Sequence, residues 1–232
     1  MKEQTYPDPE SVAGRAAEII VETGRRAISE RDRFLLALSG GSTPQRMLLR
    51  LASLELDWPS VHLFQVDERV APDGHKDRNL TQFKEIFIRG LPTRPAGLWI
   101  MPVNDGDLDL AAENYEKVLR SVAGEPPVLD LIHLGLGDDG HTASLVPGDD
   151  VLGVSDRDVA TTAPYRDRRR MTLTYPLINR ARSIVWVVTG ASKGLALARL
   201  RRGDRTIPAS GIRRDTSLLL SDGAAFEASM QA

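Results

Sequence analysis

The chain has 232 residues, which is enough for one large α/β domain or two small ones. Its hydrophobic fraction of 41% and charged fraction of 27% are those of an ordinary globular protein with a sizeable core. The formal net charge of -2 gives no reason to expect a nucleic-acid partner, and we interpret the arginine clusters at 166–170 and 199–205 as solvated faces.

Cysteine is absent, which excludes disulfides, thiolate metal sites and a cysteine nucleophile. This composition fits a reducing compartment, and we expect a cytoplasmic protein. The first residues lack the apolar segment of a signal peptide, and no apolar run approaches the roughly 18 residues that span a bilayer, so no membrane partner is expected. No two histidines have a metal-binding spacing, so no metal site is expected.

In chain order, short apolar runs that predict strands alternate with amphipathic segments that predict helices. The first helix begins at Pro9, after the capping residue Asp8. The predicted strands lie at residues 34–38, 61–66, 98–102, 129–135, 170–176, 183–190 and 217–222. The other predicted helices begin at Pro44, near Leu80, at residue 108, at residue 191 and after the last strand. This alternation predicts a mostly parallel sheet with helices on both faces.

Ligands of such sheets bind beyond the carboxyl ends of the strands, so the segments that follow the strands are the candidate site. Four of these segments carry glycine or charge: "SGGSTP" (39–44), "DERVAP" (67–72), "GLGDDGH" (135–141) and "TGASKG" (189–194). The polar loop from 146 to 169 is either a flexible lid or a surface excursion.

Residues 39–44 join a predicted strand to a predicted helix. Adjacent glycines let backbone N–H groups converge on an anion, the helix N-terminus adds a partial positive charge, and hydroxyls add donors. The Gly-Lys-Ser/Thr element of a triphosphate loop is missing, so a single phosphate is the favoured ligand. Lys193 and Arg170 are cations that could complete the site. The alternatives are a tight turn that binds nothing and two surface charges.

Residues 135–140 fit the G-x-G-x-x-G spacing of a dinucleotide-binding loop. We reject that function because Asp138 and Asp139 would repel a pyrophosphate, and because Pro and Gly at 147–148 interrupt the helix that should follow. The favoured interpretation is a turn that presents His141 as a general base, with Asp139 orienting its ring. The alternative is a structural histidine held by a neighbouring carboxylate.

Asp67, Glu68 and Arg69 follow another predicted strand, where carboxylates can hold sugar hydroxyls or transfer a proton. Arg69 can balance their charge or contact an anionic substrate, and the alternative is a structural cluster of ion pairs. The chain has no G-x-S-x-G elbow, and nothing in the sequence places Ser144 on a strained turn. We therefore expect activated water rather than a covalent serine intermediate.

The segments "LALSGGSTP", "VDERVAP", "GLGDDGHTASLVPG" and "RMTLTYPLINRARSIVWVVTGASK" occur in this order and resemble the 6-phosphogluconolactonase family over nearly the whole chain. The resemblance implies a single domain over residues 1–232, with a Rossmann-like open sheet. It also implies hydrolysis of 6-phospho-D-glucono-1,5-lactone to 6-phosphogluconate in the oxidative pentose phosphate pathway, with no cofactor required. We expect a monomer or weak homodimer whose partner is this sugar-phosphate lactone.

Carried over position by position, the resemblance implies that His141 is the general base and that Asp139 supports it. It implies that Asp67 and Arg69 lie at the lactone ring. It implies that the 6-phosphate is held by Ser39, Gly40, Gly41, Ser42, Thr43, Arg170 and Lys193.

The related glucosamine-6-phosphate deaminases are the first alternative, because they share the phosphate loop and the Asp-Gly-His segment. They typically continue that segment with a Phe-Asn-Glu-Pro pattern and follow their Asp-Glu pair with tyrosine. Here the continuation is "TASLVPG" and Arg69 follows the pair, which favours the lactonase. A non-catalytic sugar-phosphate sensor is the second alternative. It is disfavoured because such proteins normally carry an added DNA-binding segment, whereas the first helix here begins at Pro9.

Overall fold

The computed structural model describes residues 1–41 and 44–232, so Ser42 and Thr43 of the predicted phosphate loop lie outside the described residues. Its strands are β1 (Lys2–Tyr6), β2 (Phe34–Leu38), β3 (Val61–Gln65), β4 (Asp67–Arg69), β5 (Gly97–Trp99), β6 (Leu131–Leu134), β7 (Val159–Thr161), β8 (Arg170–Leu173), β9 (Ile184–Val188) and β10 (Ser217–Asp222). Seven of them form one sheet in the order β1-β10-β9-β6-β2-β3-β5, and all of their pairings are parallel.

Helices cover both faces of this sheet. They are α1 (Pro9–Arg31), α2 (Pro44–Ala52), α3 (Asn79–Gln82), α4 (Leu108–Ala123), α5 (Tyr175–Arg180), α6 (Gly194–Arg202) and α7 (Gly223–Met230). Side chains of β2 alternate between two cores: Leu36 belongs to the core that includes residues of α1 and α2, whereas Leu35 belongs to the core that includes residues of α4 and α6. Burial on both faces explains the continuous apolar run of β2. The predicted open, mostly parallel sheet with helices on both faces is confirmed.

Three strands form a second, antiparallel sheet in the order β4-β8-β7. The strand predicted at 170–176 is therefore present over Arg170–Leu173 as β8, which pairs outside the parallel sheet, whereas residues 175–176 begin α5. Strand β1 was not predicted, because its residues are mostly polar and its first four are exposed. It is an edge strand held through its backbone by β10, so it needs no apolar side-chain pattern.

Two helices depart from their predicted form. The helix predicted near Leu80 is a single α-helical turn, α3, followed by a wider turn over Phe83–Phe87 and a tighter one over Ile88–Gly90. The helix predicted from residue 191 opens with a tight turn over Ala191–Lys193 before α6. Among the described residues, no helix combines the length and apolar character that crossing a membrane requires.

Glu68 connects the small sheet to α3 from a fully buried position. Its carboxylate accepts hydrogen bonds from the backbone N–H groups of Asn79 (2.8 Å) and Leu80 (2.9 Å) and from the Gln65 side chain (2.8 Å). The buried Arg78 guanidinium lies 3.2 Å from the same carboxylate and neutralises its charge. The ion-pair alternative considered for residues 67–69 therefore applies to Glu68, which has a structural role.

Replacing this carboxylate should destabilise the fold. Because Glu68→Gln leaves the buried Arg78 guanidinium with the exposed Asp73 carboxylate as its remaining ion-pair partner among the described residues, we expect the free energy of unfolding to fall by about 3 kcal/mol. Urea denaturation followed by circular dichroism measures the change. Glu55→Gln is the matched control, since Glu55 is exposed and its side chain makes no hydrogen bond among the described residues. Equal stability of the two variants would contradict the structural role.

Candidate active site

The loops that follow β2, β3, β6 and β9 surround one open cleft at the carboxyl edge of the parallel sheet. The residues singled out in the sequence that line it are Ser39, Gly40, Gly41, Asp67, Arg69, His141, Arg170 and Lys193. Asn79 and Arg166 also line the cleft, and the sequence analysis did not place them in the site. Within residues 1–41 and 44–232, no group of three or more His, Asp or Glu side chains is arranged to hold a metal ion.

The glycine-rich turn after β6 is shaped around the His141 ring. Gly140 has a φ of 85°, in the left-handed region that favours glycine. A Cβ atom on Gly137 would lie 2.0 Å from the His141 ring nitrogen Nδ1, so any larger residue would displace the ring. The Gly137 N–H also donates to the His141 carbonyl at 2.8 Å. The imidazole therefore fills the space beside Gly137 that a pyrophosphate would need.

Asp139 binds His141 and Tyr165 through its two carboxylate oxygens. Its Oδ1 lies 2.6 Å from His141 Nδ1, and its Oδ2 accepts a hydrogen bond from the Tyr165 hydroxyl at 2.7 Å. Partial burial opposes ionisation of Asp139, but the hydrogen bonds from Tyr165 and His141 together outweigh it and lower the pKa to about 2. An ionised Asp139 favours the tautomer with the proton on Nδ1, which leaves His141 Nε2 free to accept a proton.

Tyr165 is a site residue that sequence reasoning missed. Its ring meets the His141 ring edge-on, with centroids 5.6 Å apart, and the Arg170 guanidinium lies 5.0 Å from the Tyr165 centroid. Burial and then the hydrogen bond to Asp139 raise the pKa of Tyr165, so its hydroxyl remains a donor at neutral pH. The sequence signal for Tyr165 was one aromatic residue next to the arginine-rich segment 166–170. That segment had been interpreted as a solvated face, so Tyr165 was not singled out.

Arg170 and Asp67 are joined through a serine. The Asp67 carboxylate accepts a hydrogen bond from the Ser144 hydroxyl at 2.6 Å, and the Arg170 guanidinium donates to the same hydroxyl oxygen at 3.4 Å. All three side chains are buried, and burial lowers the pKa of Arg170 against the opposing attraction of Asp67. Ser144 is thus a bridge between two charged groups, in keeping with the expectation that it is not a nucleophile.

The three consecutive arginines at 168–170 point in different directions. Arg168 pairs with Asp77 at 3.1 Å, and Arg169 donates to the carbonyl oxygen of Thr162 at 3.3 Å. Of the three, Arg170 lines the cleft. Its position as the first residue of β8 fixes this direction, because β8 pairs with β4 and places Arg170 opposite Arg69.

Asn79 organises the side of the cleft formed by β4. Its amide donates to the Asp67 backbone carbonyl at 2.9 Å and to the Asp67 carboxylate at 3.3 Å, while its oxygen accepts from Arg69 at 3.2 Å. A Cβ atom on Gly40 would lie 2.2 Å from the Asn79 side-chain oxygen. Gly40 is therefore required for the close approach of the loop after β2 to Asn79.

Ser39 uses its polar groups within the protein. Its hydroxyl donates to the His133 carbonyl at 3.0 Å, and its backbone N–H donates to His133 Nδ1 at 3.4 Å. Burial lowers the pKa of His133 to about 3, so this ring is neutral and can accept that hydrogen bond. The Ser39 hydroxyl thus fixes the start of the loop, and the expectation that it is a free donor for an anion is not met.

Lys193 forms an ion pair with Asp138. Its ammonium nitrogen lies 2.6 Å from a carboxylate oxygen of Asp138, at the mouth of the cleft. The Asp138 side chain is 57% exposed and that of Lys193 is 21% exposed, so water screens the attraction and the pair is weak. In the sequence Asp138 was interpreted only as an obstacle to nucleotide binding, and its contact with Lys193 was not predicted.

Comparison with known proteins identifies relatives along most of the chain. Residues 7–220 match the family described as glucosamine-6-phosphate isomerases/6-phosphogluconolactonase. A 6-phosphogluconolactonase from a Nostoc species is 36% identical over 85% of this chain and 83% of its own length. One from a Synechocystis species is 40% identical over 80% and 79%, respectively.

A solved structure of a Thermotoga maritima 6-phosphogluconolactonase shares the fold. It has a TM-score of 0.85 and 24% identity, and the match covers 95% of this chain and 98% of that one. The family resemblance inferred from the sequence motifs is confirmed by the curated relatives. The chain belongs to the glucosamine-6-phosphate isomerase/6-phosphogluconolactonase family.

Proposed function

We propose that this protein hydrolyses 6-phospho-D-glucono-1,5-lactone to 6-phosphogluconate. The observation that carries the proposal is the Asp139–His141 pair, whose imidazole lines a cleft that is also lined by Arg170 and Lys193. A base and two cations in one cleft suit a substrate with a reactive carbonyl and a phosphate. The two curated relatives named 6-phosphogluconolactonase, at 36% and 40% identity, support the same activity.

The reaction needs a base to activate water. In the proposed mechanism, His141 Nε2 takes a proton from water as the water oxygen attacks the C1 carbonyl of the lactone. The bond between C1 and the ring oxygen then breaks, and the proton on His141 passes to the departing oxygen. Asp139 stabilises the imidazolium formed in between. General-base catalysis of this kind contributes on the order of 10²–10⁴-fold, which suits an ester already activated as a δ-lactone.

The charged groups across the cleft have complementary proposed roles. Arg170 and Lys193, with the glycine-rich loop that follows Ser39, hold the 6-phosphate, and this remote binding orients C1 at His141. Asp67 and Arg69 contact the lactone hydroxyls or the negative charge that develops at C1. Because Ser144 and Asn79 fix Asp67, its carboxylate is presented in one orientation.

The predicted monomer or weak homodimer and the cytoplasmic location stay predictions.

Deamination of glucosamine 6-phosphate is the second candidate, because the matching family includes isomerases of that substrate. The segment after His141 is Thr-Ala-Ser-Leu-Val-Pro-Gly and contains no carboxylate. Ser144 in this segment instead makes a bridge between Asp67 and Arg170. The lactonase is therefore favoured.

The test of function compares lactone hydrolysis with its spontaneous rate. With freshly generated substrate, we expect acceleration by the wild type and a fall in kcat of about 10²-fold or more in His141→Ala, with KM close to the wild-type value. His75→Ala is the control, because His75 lies outside the cleft. Near-full kcat in His141→Ala would overturn the base assignment. Ammonia release from glucosamine 6-phosphate without lactone turnover would instead support the deaminase.

Loss of the Lys193 charge should weaken phosphate binding. For Lys193→Gln we expect KM for the lactone and the inhibition constant of inorganic phosphate each to rise about tenfold, the effect of one hydrogen bond to a charged group. Steady-state kinetics with phosphate as competitor measures both. Lys117→Gln, at an exposed lysine on α4, is the control. Unchanged phosphate inhibition in Lys193→Gln would remove Lys193 from the phosphate site.

Removal of the Asp138 charge should have the opposite effect. Asp138→Asn frees Lys193 from its ion pair, so we expect phosphate to inhibit about two- to fivefold more tightly, as an exposed pair of this kind allows. Asp215→Asn is the matched control, because Asp215 is an exposed carboxylate paired with Arg213 outside the cleft. Weaker phosphate inhibition in Asp138→Asn would show that Asp138 supports binding rather than competing with it.

A further inference from the structure

Tyr165 lies at a hairpin turn with a strained backbone. The turn connects β7 to β8, and Tyr165 and Arg168 close it by exchanging backbone hydrogen bonds of 2.9 and 3.3 Å. The two residues between them, Arg166 and Asp167, have φ values of 50° and 63°. A two-residue turn with both values positive normally contains asparagine or glycine, and other residues there cost free energy. The backbone strain is retained at a turn that places Tyr165 beside His141.

The Asp139 carboxylate needs a second contact to stay aligned with the base. Its Oδ1 is 2.6 Å from His141 Nδ1 and accepts the His141 backbone N–H at 3.1 Å. These contacts leave Oδ2 free, and rotation of a carboxylate about its terminal bond is a soft motion. The side chain is 34% exposed, so water can compete for either oxygen. The Tyr165 hydroxyl, 2.7 Å from Oδ2, holds that oxygen in place.

Tyr165 also contacts the arginine that we place at the phosphate. The Arg170 guanidinium lies 5.0 Å from the ring centroid and donates to the Tyr165 carbonyl at 3.5 Å. On the exposed side, the Arg166 guanidinium lies 5.2 Å from the same centroid. The remaining charged groups at the cleft are Asp67, Arg69, Asp138 and Lys193.

We propose that Tyr165 is a positioning residue that aligns Asp139 with His141 and connects this base to Arg170. The inference rests on the proposed lactone hydrolysis and deepens it. Tyr165 does not exchange a proton with the substrate. Its hydroxyl fixes the carboxylate, while its ring, held by the hairpin, packs against His141 on one side and Arg170 on another. Arg170 on a phosphate and His141 at the carbonyl are then parts of one rigid unit.

Tyr165→Phe tests the hydroxyl alone, because it keeps the ring and its contacts with His141 and Arg170. We expect kcat for the lactone to fall about five- to tenfold, the effect of losing one hydrogen bond to a charged group, while KM stays close to the wild-type value. A role limited to folding would not separate kcat from KM in this way. Tyr115→Phe is the matched control, since the buried Tyr115 hydroxyl donates to the Trp99 carbonyl far from the cleft.

A second measurement does not depend on catalysis. Loss of the Tyr165 hydrogen bond should raise the pKa of Asp139 from about 2, and carboxyl-carbon NMR of the folded variant measures it. A raised pKa of Asp139 with lower kcat supports the proposal. Wild-type kcat, or an unchanged pKa of Asp139, in Tyr165→Phe overturns it. If the wild type fails to hydrolyse the lactone, the proposed function fails, whereas the pKa of Asp139 still decides whether Tyr165 holds this carboxylate.

Discussion

Parallel pairing of β2, β3, β6 and β9 is the constraint on which the site depends. Parallel strands all end at the same edge, so four chain-distant loops must meet there. Each loop contributes a different chemical group: a backbone turn after β2, carboxylate and guanidinium groups after β3, an imidazole after β6 and an ammonium group after β9. The small antiparallel sheet adds Arg170 and Tyr165 from the side. Backbone hydrogen bonds between strands are thus sufficient to bring these loops together at one edge, and the side-chain contacts add to that arrangement.

Charge balance is the second organising feature of the cleft. Lys193 is paired with Asp138, and Arg170 is connected to Asp67 through Ser144. Each cation therefore has a nearby carboxylate, which limits the repulsion between the two cations. The two arrangements differ in strength, because the Lys193 pair is exposed whereas Arg170 is buried. Under the proposed function, a phosphate in the cleft would compete with Asp138 for Lys193, whereas Arg170 would keep its connection to Asp67 through Ser144.

The sequence predicted the groups at the strand ends better than the contacts between them. Strand β2 was predicted with correct bounds because all its residues are apolar and buried on both faces. His141 and Asp139 are two residues apart, so their contact was accessible from local spacing. Tyr165 is 26 residues from Asp139, and its hydrogen bond depends on how the hairpin folds over the sheet edge. No periodicity or composition records such a contact.

The roles of Glu68 and Asn79 were also not predicted, because they depend on what each side chain packs against in the folded chain. Glu68 and Asp67 are adjacent in an alternating strand and thus point to opposite sides, so one is buried beneath α3 while the other lines the cleft. Two neighbouring carboxylates that are indistinguishable in the sequence therefore have different roles: Glu68 stabilises the fold, and Asp67 lines the cleft. Asn79 lies at the cleft because Glu68 binds the backbone N–H of Asn79 at the start of α3, which places the Asn79 side chain beside Asp67.

The two left-handed residues at the hairpin tip, Arg166 and Asp167, carry backbone strain next to the residue that we propose positions Asp139. Glycine at either position would relieve backbone strain, and a search for greater thermal tolerance would select it. The same substitution would make the backbone of the turn more flexible. The Tyr165 hydroxyl would then be hydrogen-bonded to Asp139 for a smaller fraction of the time. If Tyr165 has the proposed role, stability and turnover are opposed at Arg166 and Asp167, and a thermostable variant obtained there would be a slower catalyst.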